Sequence, residues 1–599
     1  MRTVLCLFIV CCTLGCAETL CAQDSVPGDS TDSEPLVRVS GSASVTSDFY
    51  ELTSDPSIAQ KGRRPAVLHR LVFAPTITIA GIVTLPLNVM ITYPETNTTT
   101  PSITAPSLME LFTNPANALG LSSFSPKIGW AQLHLGSHTP QLSELSGGDL
   151  QLFGVGVDLT PGIFQASASR GIIQRAVEPD ASRGINGAYR RTMTMGRIAV
   201  GNPDTTSVGV NLVYASDDPT SLRSSIVSIV PSGPFEGDPS VILPADTIRL
   251  RAEEGAIASV DMKTRIADGV TIAAEGAISA FTRDIGSNVL DPSDNPLSGL
   301  FTARTSTRFD GAANATLAFR YASWGISLSG LYMGAGFQPL GYPFQQTDRM
   351  DLKVSPMLNL LNGDLTFSGT IGQRVNNLSE TKGERLTQTI ANGQLAVRFS
   401  EVLSITSTYS NFGIRNNRQD AFDSARVQNV SETFSIDPMI VFSAAEMMHT
   451  FNVGLSIDRY DDFNLVSGVA SSNNTRSALL TYTGVFQTMP LTVGLTASLL
   501  ENALSIGTLT VSSMGVNASY RMLSGALTPT ISLTRSQSAF ARDATDTQTF
   551  VKTGLRWKPV KTMTMAVNYG INAYSYGDTA TRGTGFTEHM LQLSLSTTF

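Results

Sequence analysis

Apolar and polar residues alternate with a period of two in segment after segment of this 599-residue chain, and that rhythm restricts the fold more than any motif does. The end of the chain is the cleanest instance. Leu591, Leu593, Leu595, Thr597 and Phe599 fall on one face, and Gln592, Ser594, Ser596 and Thr598 on the other. Near the start, Val37, Val39, Ala43, Val45 and Phe49 oppose Arg38, Ser40, Ser42, Ser44, Thr46 and Asp48. Similar runs occupy 153–159, 395–399, 491–499 and 563–571. Successive side chains of a β-strand point to opposite faces, so each run reads as a strand with one apolar and one polar face.

A soluble β-sandwich alternates in the same way. The connections separate the two cases. Short joints at 160–162, 201–204, 322–324, 361–363, 489–490, 522–525 and 558–561 alternate mostly with longer polar stretches such as 217–246, 284–311, 377–389 and 461–476. Short turns at one end and long loops at the other are the pattern of a transmembrane barrel. From residue 162 onward about 20 strands keep a consistent up-down parity, and residues 37–159 add roughly four to six more. The expected fold is therefore all-β: a transmembrane antiparallel up-and-down β-barrel of about 24 strands, within a range of roughly 20–26. Residues 94–126 contain no clear strand. They hold Ser107-Leu-Met-Glu110, a capping-box pattern, and read either as an inward-folded loop or short helix in the barrel mouth or as an ordinary external loop.

Composition agrees with a lipid-facing wall around a polar lumen. The chain is 42% hydrophobic but only 15% charged, against about 25% charged in soluble domains. Half of each strand is polar yet uncharged, as a lumen lining would be. No stretch is apolar enough for a membrane helix. A net charge of −8 and a pI of about 5.3 leave no basic footprint for nucleic acid. All five cysteines, Cys6, Cys11, Cys12, Cys16 and Cys21, lie at the start. There Arg2 and the apolar run 4–14 read as a signal peptide covering residues 1–23. Lipidation of Cys16, after Leu14-Gly15, is the alternative. Residues 24–35 read as a flexible lead-in, and 36–599 as a single barrel without cysteine.

The exported leader, the cysteine-free remainder, the alternating strands and the terminal aromatic together resemble bacterial outer-membrane β-barrel proteins. The resemblance spans residues 36–599 and names a class, not a transporter family. No energy-coupling box, siderophore-receptor plug or cysteine pairs of the lipopolysaccharide-insertion barrel are recognisable. It implies location in the cell outer membrane, in contact with outer-membrane lipid and lipopolysaccharide. Leu591, Leu593, Leu595 and Phe599 are similar to the signal read by the barrel-assembly machinery. Trp324 and Trp557, beside short turns, match an aromatic girdle.

Such a barrel is expected to act as a channel or transporter for small solutes. The alternatives are a scaffold or secretion-associated barrel that binds partners through its loops, and an uptake channel for hydrophobic solutes with a lateral exit. Two groups of charge bear on this. Arg170, Arg175, Arg183, Arg190, Arg191 and Arg197 cluster in one hairpin; Arg398, Lys552, Arg556 and Lys558 fall on expected lumen faces. They read either as pore charges favouring anions or as rim charges that meet lipopolysaccharide phosphates or pair with loop carboxylates. Asp458, Asp461 and Asp462 read as solvated loop charge or as Ca²⁺ ligands. The histidines, His69, His134, His138, His449 and His589, are scattered, and only His134 and His138 are spaced to share a strand face. No HExxH, Walker-A or GxSxG pattern in a suitable setting occurs. The expectation is no enzyme activity, no metal and no cofactor.

Overall fold

The computed structural model describes residues 36–54, 64–94, 123–148, 150–180, 185–230, 233–235, 238–243, 246–291, 301–341, 346–418, 423, 425–466, 471–541 and 543–599. The signal-peptide and lead-in readings, and most of the 94–126 reading, lie outside these residues. Consecutive strands pair antiparallel around a closed wall of 26 strands. That is two more than the central expectation and inside its range. The first strand, Val37–Ser54, closes the ring on the last, Gly585–Thr598, in an unbroken register from Ser42↔Thr598 to Ser54↔Phe586. Phe599 completes the seam: its N–H and carbonyl exchange hydrogen bonds with Gly41, and its ring stacks near Phe73 at 6.2 Å.

The two ends of the wall differ as the connection lengths imply. At one end the joints are tight. Ala445 and Glu446, both at positive φ (50° and 62°), link Gln428–Ala444 to Met447–Asp462, the geometry that matches the natural twist of a hairpin. At the other end run the long connections, including 219–253, whose chain forms two small hairpins of its own. The exception at the long-loop end is the tight link between Leu491–Leu504 and Gly507–Tyr520.

Inside and outside alternate strictly along the wall. In Thr206–Asp218, Val208, Val210, Leu212 and Tyr214 are exposed, while Ser207, Asn211, Val213, Ala215 and Asp217 are buried. Exposed apolar side chains are the outer belt, and in a bilayer they meet lipid. Hydrocarbon offers backbone groups no partner, and the closed ladder supplies one to each.

One stretch departs from the sequence reading. Residues 123–126, taken with the loop or helix, begin a short broken strand, Ser123–Phe124 and Lys127–Ile128, between Val83–Pro94 and Ala131–His138. Pro126 has no N–H to give the ladder, which splits this strand in two.

Candidate functional site

A wall of this many strands is wider than its own side chains can fill. Two segments partly fill it. Residues 139–148 and 334–341 fold inward and pack on the inner face of the strands between Arg190 and Met333. Leu145, Phe337 and Leu340 bury themselves there against Met193, Val213 and Ile257. Each fully buried apolar side chain contributes roughly 1.5–3 kcal/mol, so the segments are fixed parts of the lumen.

Polar anchors hold both segments in place. The carboxylate of Glu275, buried in the wall, accepts the Leu145 N–H at 3.1 and 3.2 Å. Beside it Ser259 meets Ser143 and Ser146, each at 3.0 Å. Arg191 clamps the second segment. It donates to Asp217 at 2.7 and 3.0 Å, to Glu253 at 2.9 Å, and to the Leu340 carbonyl at 3.1 Å. Burial pushes the Glu253 carboxyl above its usual range, against the pull of Arg191. Below this clamp Arg197 pairs with Asp261 and donates to Asn211 at 2.8 Å.

The sequence-designated cations therefore have different fates. Arg191 and Arg197 face the lumen but are neutralised by carboxylates. Arg190 pairs with Asp218 at the outer rim. Arg170 stands opposite Val155, on the outer face, and Arg175 lies just past its strand; among the described residues neither has an ion pair. Arg183 falls outside the described residues. Arg398 faces inward at the short-turn end and pairs with Asp364. Lys552, Arg556 and Lys558 face inward and exposed, with no ion pair among the described residues. Leu591, Leu593, Leu595 and Phe599 share the outer face of the last strand. Trp324 and Trp557 are half-exposed on the outer face near the short turns, with Tyr321 beside Trp324 at 4.9 Å.

The histidines sort similarly. His134 and His138 do share a face: their rings stack at 4.9 Å on the lumen side. Gly156 makes room for them, since a Cβ there would lie 2.5 Å from His138 Nε2. His134 lies between Ser125 Oγ (3.1 Å) and Asp158 (2.8 Å). Serine, imidazole and carboxylate in that order resemble a nucleophilic triad. The Ser125 amide that would serve an oxyanion is already given to Pro86 O, at 3.1 Å. His589 is on the outer face, bonded to Tyr569 OH at 2.8 Å. Among the described residues no three His, Cys, Asp or Glu side chains gather as a metal site. Asp458 and Asp462 alternate with Asp461, which turns outward to Arg459, so the three do not converge.

Beyond the arc covered by the inward segments, the lumen face is hydroxyl and amide. Ser355, Thr370, Asn392, Gln394, Thr408 and Ser410 line a shallow hollow of about 560 Å³ there. Sequence reasoning did not find the inward segments, because their anchors on distant strands carry no local signal.

No protein-family model matches the chain, and no curated protein does. Solved structures with a similar barrel include OccAB2 of Acinetobacter baumannii, at 9% identity and a TM-score of 0.28, covering 59% of this chain and 93% of that one. Another is OpdK of Pseudomonas aeruginosa with vanillate, at 10% identity and a TM-score of 0.29, covering 59% and 94%. A third is BauA, the ferric preacinetobactin receptor of Acinetobacter baumannii, at 11% identity and a TM-score of 0.33, covering 93% and 80%. Likeness this distant says nothing of cargo. The closed wall, its apolar outer belt and its unlike ends establish the class: the chain is an outer-membrane-type β-barrel with a lumen partly filled by its own loops.

Proposed function

We propose that the barrel is a passive channel for small hydrophilic solutes. The observation that carries this is the lumen face between Arg349 and Thr598: along it, inward positions are mostly Ser, Thr, Asn and Gly. A lining that is mostly uncharged and polar hydrates a path without binding any solute tightly, and conduction needs binding weak enough to release. The inward segments would narrow that path from one side, setting its size limit. A wall hydrogen-bonded all the way round gives no support to lateral exit of apolar solutes.

The test is single-channel recording of the full chain in planar bilayers. A steady open current, stable without ligand, is expected. A purified, heat-modifiable barrel that passes no current would overturn the channel reading and leave the scaffold alternative.

A further inference from the structure

The lumen is charged unevenly from end to end. In the part of the wall nearest the short turns, the inward positions of Arg38, Lys127, Arg265, Arg320, Arg556 and Lys558 all carry exposed cations. The inward placement of the first five follows from register; Lys558 lies one residue past Trp557, where the register shifts before Val560. Arg320 shares its strand face with Asn314, which reaches Glu144 of an inward segment, and Arg265 shares its face with Ser259. None of the six has a side-chain hydrogen bond or ion pair among the described residues. The other inward charges at this level are already engaged: Arg398 with Asp364, Lys263 with Pro203 O at 2.9 Å, and Asp158 with His134.

The long-loop end is built differently. Inward carboxylates such as Asp217, Asp351, Asp546 and Glu588 gather there. Arg191 and Arg374 are tied to the first two, and Arg582 to the third. Arg70 and Arg308 also face inward there, with no ion pair among the described residues. Asp437 and Asp458 face inward nearer the middle of their strands, as Lys552 does on its own.

We propose that the short-turn mouth is an anion-selecting collar, which favours passage of small anionic solutes such as carboxylates and phosphates. The proposal rests on the channel reading above and names the solute class for it. Rings of one charge sign at a pore mouth set ion preference. Low-dielectric walls focus their field, raising the local concentration of counter-charged solute. None of these six cations is in an ion pair among the described residues; the other carboxylates at this end, Asp204, Asp268, Glu401 and Glu446, lie in the short turns beyond the ladder. In a wide lumen the effect reaches about one Debye length, roughly 8 Å at physiological salt, so it is strongest at low ionic strength.

The experiment compares the full-length barrel with the variant Arg265→Gln, Arg320→Gln, Arg556→Gln, Lys558→Gln in planar bilayers under a potassium chloride gradient. The wild type is expected to prefer chloride, and the variant to lose roughly three- to tenfold of that preference. The gap should close at about 1 M salt, where the Debye length is near 3 Å. A cation-preferring wild type, or a variant with unchanged preference at low salt, would overturn the collar. Binding of a pyrene trisulfonate to the detergent-solubilised barrel, read by fluorescence anisotropy, separates the collar from the channel. With no current in any sample, the channel reading fails, and equal dye affinity in both proteins then sinks the collar too. Weaker dye binding by a variant that keeps its heat-modifiable gel shift supports the collar on its own.

Discussion

Replacing Arg191 by alanine is expected to destabilise the barrel by about 3–5 kcal/mol, the usual cost of stranding one member of a buried ion pair. Arg191 and Asp217 are both almost fully buried, and Glu253 and the Leu340 carbonyl share the same guanidinium. Without it Asp217 keeps only the Glu253 N–H at 3.0 Å, and the 334–341 segment loses one charged anchor, keeping the Asp310 carboxylate that accepts the Gly336 N–H at 2.6 Å. Urea unfolding in lipid vesicles, followed by tryptophan fluorescence, reads the loss. Chymotryptic cleavage after Phe337, buried in the wild type, reads the release of the segment. The double variant Arg191→Met, Asp217→Leu should recover much of the stability, because well-packed apolar pairs often replace buried ion pairs at no net cost. It should not recover protection of Phe337, since no donor then faces Leu340 O. Equal protection in both variants would mean that apolar packing and the Asp310 anchor hold the segment without Arg191.

Met514→Arg and Ser513→Arg should differ sharply although they are neighbours. Met514 sits near the middle of Gly507–Tyr520 on the outer face and is 74% exposed; Ser513 points into the lumen and bonds Ser498 at 2.7 Å. A charge on the lipid face costs about 2–4 kcal/mol at the midplane and roughly 0–1 near the interfaces, and at Met514 it would also stand directly opposite the outward Arg535, a like charge. In an open aqueous lumen the same arginine gives up one hydroxyl hydrogen bond, about 1 kcal/mol. Unfolding in lipid vesicles should therefore show a large loss for Met514→Arg and a small one for Ser513→Arg. The reverse order would mean that the wall faces the other way. Equal losses would mean that the outer face does not meet hydrocarbon.

The alternation made most of the wall legible. From residue 162 each strand keeps its period of two, and about 20 strands could be placed by parity alone; the structure carries that parity through to the last strand. The first part was harder for a physical reason. Ser123–Phe124 and Lys127–Ile128 are too short for a period to show, and Pro75, Pro86 and Pro126 interrupt the patterns around them. Site residues were legible only as single charges. Arg197 could be placed in a hairpin, but its partner Asp261 lies two strands on. Arg398 reads either as a pore cation or as a rim charge paired with a loop carboxylate, and the short turn at 361–364 brings up that carboxylate, Asp364. Segment 139–148 carries no sequence signal of its burial, which is decided by Met193, Ile257 and Phe337, far away in sequence. The collar, too, exists only once five strands far apart in sequence share a mouth.

The seam has a consequence for how the chain reaches this state. Tyr50 OH donates to Glu588 at 2.7 Å, a contact between residues 538 positions apart. Every other neighbouring pair of strands is a hairpin or near-hairpin and can zip locally; the first and last can meet only after all the rest is in place. Loop-closure entropy must be met before such a contact forms, which makes closure the slow and late event. Until then the growing sheet has two bare edges, each a template for wrong pairing. Assembly of this barrel is therefore a problem of protecting two edges until they find each other, and the hydrogen bonds between Gly41 and Phe599 mark where that search ends.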